Sequence, residues 1–251
     1  MTMKSKDMNS GGYQYIPGVM QYSGGVAAKV GYKIVRARFL DLQPMEQGFL
    51  KIEQHLERVQ RPLDAFCACE LRSPAQFSQQ GFADFNQGYA ETLRQWGIMQ
   101  GNDNPIARSN VCPAGNQPSS PSFHAFSYTV EADIDDQSFV IAGSGEAPEG
   151  KGDYADVTVA YGDTSEAGLR FKAEFVLGEM ERRMSFFKAT WQQTTAVQLY
   201  TVFNAYPVIS AEMSERGVIE NGICWHYCRP PVVGLDFEMD CRRVTEELVL
   251  L

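Results

Sequence analysis

Arg108 is the residue whose type best suits recognition of an anionic group. It stands in the segment Pro105-Ile106-Ala107-Arg108-Ser109. A guanidinium is planar, permanently charged and carries paired N–H donors, so it matches a carboxylate better than a lysine ammonium does. The alternative is an arginine paired with an acidic neighbour, because the chain contains 31 Asp and Glu residues.

Ser23 and Gly24 could bring backbone groups close to a ligand. They lie in Tyr22-Ser23-Gly24-Gly25, where a run of strand-forming residues ends in small ones. Small side chains at a strand end allow a ligand to approach the backbone amide and carbonyl groups closely. An ordinary turn is the competing interpretation.

Glu70 is a candidate general base, and His124 is the neighbouring alternative. Glu70 lies in the segment CACELRSP. A glutamate can accept a proton from water near neutral pH if burial raises its pKa. A solvated or salt-bridged glutamate is the alternative.

Cysteine and histidine residues do not form a metal-binding pattern. The six cysteines lie at 67, 69, 112, 224, 228 and 241, without a CxxC pair, and the three histidines are far apart in sequence. Positions 224, 226 and 228 share one face of a strand, but such residues belong more often to core or interface packing than to a metal or nucleophile site. The sequence therefore predicts reduced thiols, no metal and no cofactor.

The charge balance argues against binding to nucleic acid. The net charge is −9 and the pI is about 4.9, whereas neutralising phosphates requires a basic face. A local arginine can still bind an anionic substrate. The first residues are polar, and we find no apolar stretch long enough to span a membrane, so we expect a cytoplasmic protein.

Hydrophobic periodicity predicts an α+β chain. Alternating segments predict strands at 32–39, 64–71, 107–112 and 123–130, and helical stripes predict helices at 45–59 and 78–96. The second half repeats the order, with strands near 138–148, 152–162, 194–203, 223–228 and 235–241 and helices at 166–187 and 207–216. We therefore expect a first unit over 1–130, with a flexible tail at 1–12, and a second unit over 138–251, joined by an acidic linker at 131–137.

The first half resembles the Rid (YjgF-like, reactive intermediate deaminase) family. The similar segments are YSGG at 22–25, FADFNQGYAETL at 82–93, and Pro105-Ile-Ala-Arg108-Ser109, which is similar to the family's P-A-R-S signature with one inserted residue. The resemblance implies two tandem chorismate-mutase-like units, each a mixed sheet with two helices on one face. It also implies a homotrimer.

The resemblance assigns roles to several residues. Arg108 would bind the substrate carboxylate, and backbone groups at Ser23 and Gly24 would hold the substrate or the attacking water. Tyr15 would supply an aromatic wall or hydroxyl, with Tyr13 as the competing match. Phe126 stands about where many deaminating members carry a glutamate.

The words FCACELRSP, NPIARSNVCP and PSFHAFSYTV resemble a tandem form of the family that deaminates 2-aminomuconate or 2-amino-5-chloromuconate during breakdown of aromatic compounds. Such a substrate has two carboxylates, so a second cation is expected, and Arg72, Arg36 and Arg38 are the candidates. The second half has Gly222 about where Arg108 falls, which predicts a degenerate unit. A general deaminase of 2-aminoacrylate-type imines and a non-catalytic metabolite-binding protein are the alternatives.

Overall fold

The computed structural model describes residues 4–133 and 137–251. These residues form strands β1 (Lys6–Met8), β2 (Tyr13–Tyr15), β3 (Gly25–Ala28), β4 (Tyr32–Pro44), β5 (Phe66–Arg72), β6 (Ala107–Pro113), β7 (Ser122–Glu131), β8 (Phe139–Gly145), β9 (Ala196–Tyr200), β10 (Cys224–His226), β11 (Cys228–Arg229), β12 (Glu238–Arg243) and β13 (Glu246–Leu250). The helices are α1 (Met45–Arg58), α2 (Gln79–Gln95), α3 (Tyr154–Val157), α4 (Glu166–Phe186) and α5 (Tyr206–Val208), and α5 continues into a π-helical turn over Ile209–Met213.

The two longest helices start at serine caps. The Ser78 hydroxyl accepts a hydrogen bond from the Gly81 amide at 3.1 Å, and the Ser165 hydroxyl accepts one from the Gly168 amide at 3.2 Å. Each bond satisfies one backbone donor that the first helical turn leaves free.

Helices α1 and α2 cover one face of a six-stranded sheet with the order β11-β6-β5-β7-β4-β13. Phe49, Ile52 and Leu56 of α1 and Tyr89 and Leu93 of α2 pack into one buried cluster with the sheet. Their spacing of three or four residues puts them on one face of each helix. This packing fixes the face of α2 that lies against β6.

Helix α4 covers a seven-stranded sheet with the order β1-β2-β3-β8-β12-β9-β10. Leu169, Ala173, Val176 and Met180 are buried in its core. Among the described residues, no helix combines the length and the apolar character that crossing a membrane requires.

Each sheet contains strands from both halves of the chain. Strand β3 pairs antiparallel with β8, and β13 pairs parallel with β4, with Glu246 opposite Val35. The predicted fold, two Rid-like units each with its own mixed sheet and two helices on one face, is therefore wrong. Backbone groups at a sheet edge need partners, and here strands distant in sequence provide them.

Residues 152–162 form helix α3 and turns rather than the predicted strand. The Asp153 side chain accepts a hydrogen bond from the Ala155 amide, which caps the short helix. Tyr154 and Val157, at helical spacing, pack against an apolar cluster that includes Val232. Apolar residues alternate only weakly in this segment, so tertiary packing determines its conformation.

The predicted tail and linker are partly outside the described residues. Residues 1–3 and 134–136 belong to the part that is not described. Within the predicted tail, Lys6–Met8 pairs with β2, and Met8 is buried in the core of the six-stranded sheet. The boundary between the two units stays a prediction.

Candidate active site

Arg108 is the second residue of β6 and its side chain is buried, with 3% exposure. Its Nη2 donates a hydrogen bond to Oδ1 of Asn86 on α2 at 2.6 Å, whereas its buried Nη1 has no partner. The guanidinium lies 4.8–5.8 Å from the ring centres of four aromatic residues, Tyr22, Phe82, Phe85 and Tyr89.

Contacts with aromatic rings and with one neutral amide hold the guanidinium in place. Aromatic faces attract a cation without neutralising its charge. The alternative of an arginine paired with an acidic neighbour does not apply, since the one side-chain acceptor of Arg108 among the described hydrogen bonds and ion pairs is Asn86. Arg108 keeps its charge and one free donor for a ligand.

Arg108 opens on a cleft at the junction of the two sheets, which we call the Arg108 cleft. Its volume is about 450 Å³ with its open mouth included. The lining residues are Tyr22, Phe82, Arg108, Asn110, Gly143, Gly145, Ala147, Glu149, Tyr154, Pro231, Val232, Leu235 and Glu238.

Glu238, at the start of β12, contributes a buried carboxyl group to the same cleft. Burial raises its pKa well above the usual value, and the negative charges of Asp240 and Glu146 raise it further, although Arg108 and Arg183 act in the opposite direction. A raised pKa favours the protonated form of this carboxyl group, which is the form that can donate a proton.

Strand β8 makes room for this carboxyl group through a glycine. A Cβ atom on Gly143 would collide with Oε1 of Glu238, and it would come within 3.2 Å of the Cα atom of Ser109 on β6. Gly143 thus allows β6 and β8 to approach each other with the Glu238 side chain between them.

The neighbouring Asp240 is held by three hydrogen bonds. It accepts from Ser109 Oγ at 2.6 Å, from the Tyr200 hydroxyl at 2.8 Å and from Gln198 Nε2 at 2.8 Å. Ser109 follows Arg108 in the chain and alternates to the opposite face of β6. The bond from Ser109 to Asp240 therefore joins the two sheets beside the cleft.

One wall of the cleft is formed by Tyr22 and Glu149. Burial raises the pKa of Tyr22, and the nearby charge of Glu149 raises it further, so its hydroxyl stays protonated. Glu149 also accepts a hydrogen bond from Nη2 of the buried Arg183 at 2.8 Å. This pairing places a second carboxylate at the edge of the cleft.

Two of the predicted residues lie beside this wall. Ser23 is fully buried, its amide donates to the Ile106 carbonyl at 2.9 Å, and its hydroxyl donates to the Gly25 carbonyl. Gly24 lines a wider, adjoining cleft that also contains Glu149 and Arg183. The structure therefore brings this segment to the cleft mainly through Tyr22.

Glu70 does not have the raised pKa that a general base requires. Burial alone would raise its pKa, but the charge of Arg36 and hydrogen bonds from Arg36 Nε at 2.6 Å and Nη2 at 2.8 Å hold the pKa below the usual range. Burial and the charge of Arg72 lower the pKa of the alternative, His124, to about 3. Neither residue lines the Arg108 cleft.

Tyr15 and Arg72 also lie away from the Arg108 cleft. The Tyr15 hydroxyl contacts Asp103, and burial together with that carboxylate raises its pKa to about 12. Arg72 donates to the Leu71 carbonyl at 2.9 Å, and its guanidinium lies 5.7 Å from the Tyr200 ring centre. Tyr22, rather than Tyr15, provides the aromatic wall.

Sequence reasoning missed Glu238, although the sequence contained a signal. In LDFEMDC three acidic residues, Asp236, Glu238 and Asp240, alternate with apolar ones. Acidic residues two apart in an otherwise apolar strand share one face and are forced into a buried environment. Asn86 gave no such signal, because its role depends on how α2 packs on β6.

A buried arginine and a buried carboxyl group of raised pKa in one cleft are typical of an enzyme that moves protons on an anionic substrate. A sequence model of the family described as "2-aminomuconate deaminase CnbZ" matches residues 5–248. The chain belongs to this family. It is 47% identical to the 2-amino-5-chloromuconate deaminase of Comamonas testosteroni over 242 residues, which cover 96% of each chain.

A solved chorismatase structure indicates the fold of this chain. A chorismatase crystal structure superposes with a TM-score of 0.53 and 10% identity, over 91% of this chain and 79% of that one. A cyanuric acid hydrolase gives a TM-score of 0.42, with 10% identity, over 86% and 69% of the two chains. The chorismatase likeness replaces the predicted pair of chorismate-mutase-like units, and a wider relation to the Rid family stays a prediction.

Proposed function

We propose that this protein hydrolytically deaminates a 2-aminomuconate-type enamine acid in the Arg108 cleft, as a step in breakdown of aromatic compounds. The observation that carries the proposal is that a buried arginine with an unpartnered donor and a buried glutamate of raised pKa line the same cleft. The 47% identity to a 2-amino-5-chloromuconate deaminase supports the choice of substrate.

Arg108 would bind one substrate carboxylate. Its Nη2 is already fixed by Asn86, so the guanidinium is oriented before the substrate arrives. A charge-assisted hydrogen bond from the unpartnered Nη1 would satisfy the remaining donor. An oriented guanidinium reduces the entropy lost when the substrate binds.

Glu238 would act first as a general acid and then as a general base. Its proton moves to the enamine carbon beside C2, and C2 with its nitrogen becomes an iminium. A water molecule attacks C2 while the Glu238 carboxylate removes one proton from that water. The product of this step is a neutral carbinolamine, and Glu238 is protonated again.

The same group would complete the reaction. Glu238 protonates the amino group, the C–N bond breaks with its electron pair on nitrogen, and ammonia leaves. The hydroxyl proton returns to Glu238 as the carbonyl forms. The net reaction consumes one water and releases one ammonia and a 2-oxo acid, and Glu238 ends in its starting state.

The test is ammonia release from freshly generated 2-aminomuconate by Arg108→Ala, Glu238→Gln and the control Arg94→Ala. Arg94 is a half-exposed arginine on the same helix as Asn86. We expect Glu238→Gln to lower kcat by about 10²–10⁴-fold, since it cannot exchange a proton. Arg108→Ala should mainly raise KM, and Arg94→Ala should behave as wild type.

Full activity in Glu238→Gln would remove Glu238 from the reaction. Absence of ammonia release by the wild-type protein above the uncatalysed rate would contradict the proposed function itself. The homotrimer, the cytoplasmic location and a reaction without metal or cofactor stay predictions.

A further inference from the structure

Asn110 presents an unpaired buried donor to the Arg108 cleft. It lies two residues after Arg108 on β6, is 4% exposed and lines the cleft. Its Oδ1 accepts a hydrogen bond from Ser73 Oγ at 2.8 Å, whereas its Nδ2 has no partner. A buried amide donor without an acceptor is unfavourable, so such a group marks a place where a ligand acceptor fits.

The backbone fixes where this donor lies relative to Arg108. Residues two apart on a strand point to the same face and are separated by about 6.6 Å along the strand. Consecutive Cα atoms, which are three bonds apart, are separated by 3.8 Å. By the same geometry, the two end carbons of an extended six-carbon chain, five bonds apart, are separated by about 6 Å. The two positions are therefore spaced on the scale of the two ends of a six-carbon dicarboxylate.

Apolar side chains form part of the lining of the cleft. Phe82, Val232 and Leu235 line it and belong to one buried apolar cluster. An apolar floor suits an unsaturated carbon chain, and polar groups at the ends suit its carboxylates.

Arg72, the cation expected from sequence to bind a second carboxylate, does not line this cleft. Its guanidinium donates to the Leu71 carbonyl and lies over the Tyr200 ring. Asn110 is the buried donor that the cleft itself offers at the required spacing.

We propose that Asn110 Nδ2 binds the second carboxylate of the substrate and makes the cleft selective for dicarboxylates. This inference rests on the proposed function for the identity of the natural substrate. A neutral donor at this end adds one charge-assisted hydrogen bond without a second buried cation.

The experiment is calorimetric binding of two matched six-carbon probes, hexa-2,4-dienedioate and hexa-2,4-dienoate, which differ in one carboxylate. The variants are Asn110→Leu, which removes the amide at similar size, and Asn110→Asp, which places a negative charge there. Asn102→Leu, at an exposed turn, is the control.

We expect wild-type protein and Asn102→Leu to prefer the diacid. Asn110→Leu should weaken diacid binding on the order of 10- to 100-fold and change monoacid binding less than twofold. Asn110→Asp should weaken diacid binding further, because the two carboxylates repel each other. Arg108→Lys should weaken both probes.

Equal weakening of both probes by Asn110→Leu would overturn the proposal, because the side chain would then be structural. Unchanged binding of both probes would overturn it as well, since only water would occupy the donor. Equal binding of the two probes by the wild-type protein would overturn the proposal too. If Asn110→Leu does not fold, as judged by its thermal unfolding transition, Asn110→Ser is measured instead.

The outcome is separable from that of the proposed function. Diacid selectivity that depends on Asn110 in a protein that releases no ammonia would leave the subsite standing and remove the reaction. Ammonia release that Asn110→Leu does not affect, together with equal binding of the diacid and the monoacid, would leave the reaction standing and remove the subsite.

Discussion

Two buried glutamates of this protein have opposite acid–base properties because their neighbours differ. Glu70 faces Arg36, which holds its pKa below the usual range. Glu238 is surrounded by other carboxylates, Asp240 and Glu146, and its pKa is raised. Burial acts on both in the same direction, so the nearest charges decide which glutamate has the raised pKa.

The raised pKa of Glu238 predicts a cost to stability at high pH. The folded state binds this proton more tightly than the unfolded state, so the stabilisation is complete below about pH 4.5 and is lost as pH rises through the folded-state pKa. Glu238→Gln mimics the protonated form and should gain stability over wild type as pH rises from 5 to 8.5, by about 1.4 kcal/mol for each unit of pKa shift up to the pH tested.

Urea unfolding at several pH values measures this difference in the free energy of unfolding. Glu53→Gln, at an exposed position, is the control. A difference between Glu238→Gln and wild type that stays constant with pH would show that Glu238 is ionised in the folded protein. That result would also remove it as the general acid.

At the residue scale, sequence could identify Arg108 but not its surroundings. A short motif and the chemistry of the guanidinium were sufficient to propose it as a binding residue. Its partner Asn86 and the ring of Phe85 come from α2, and their contact with Arg108 depends on helix packing. Glu238 was accessible from its alternating strand, but Glu70 had a similar pattern, and only the three-dimensional charges separate them.

At the scale of elements, β8 positions the proposed acid through Gly143. Gly143→Ala should push the Glu238 carboxyl group aside, because the added Cβ would occupy the position of Oε1. We expect kcat for ammonia release to fall at least tenfold, since a misplaced acid loses much of its catalytic effect. Binding of hexa-2,4-dienoate should change less.

Gly145→Ala on the same strand is the matched control. Its added Cβ would come within 3.1 Å of the Leu235 side chain and would not meet Glu238. The kcat of both variants, with thermal unfolding to confirm folding, tests the argument. Equal kcat in Gly143→Ala and Gly145→Ala would show that Gly143 has no special role in positioning.

Most elements were predictable because their periodicity is strong. Helix α2 repeats apolar residues from Phe82 to Leu93 at helical spacing, and its serine cap marks its start. Helix α3 was not predictable, since its partly buried residues Tyr154 and Val157 pack only against distant segments. Short elements depend on tertiary partners more than long ones do.

At the scale of the whole molecule, the predicted membership of an aminomuconate deaminase group is confirmed, whereas the predicted fold is wrong. The resemblance lay in short sequence segments, such as the one around Arg108, that belong to the proposed active site. Strands β3 and β13 each pair with a strand more than 100 residues away in the sequence. Local sequence patterns contain little information about such pairings.

This exchange of strands predicts that neither half of the chain folds alone. Without residues 137–251, strand β4 loses its parallel neighbour β13; without residues 4–133, strand β8 loses its antiparallel neighbour β3. Exposed edges of this kind favour aggregation. We expect fragments 1–133 and 137–251 to lack cooperative urea transitions when expressed separately. Co-expression should yield a complex with ammonia-releasing activity, because all strand pairs then form. A cooperative transition in isolated fragment 1–133 would instead support the self-contained unit that the sequence predicted.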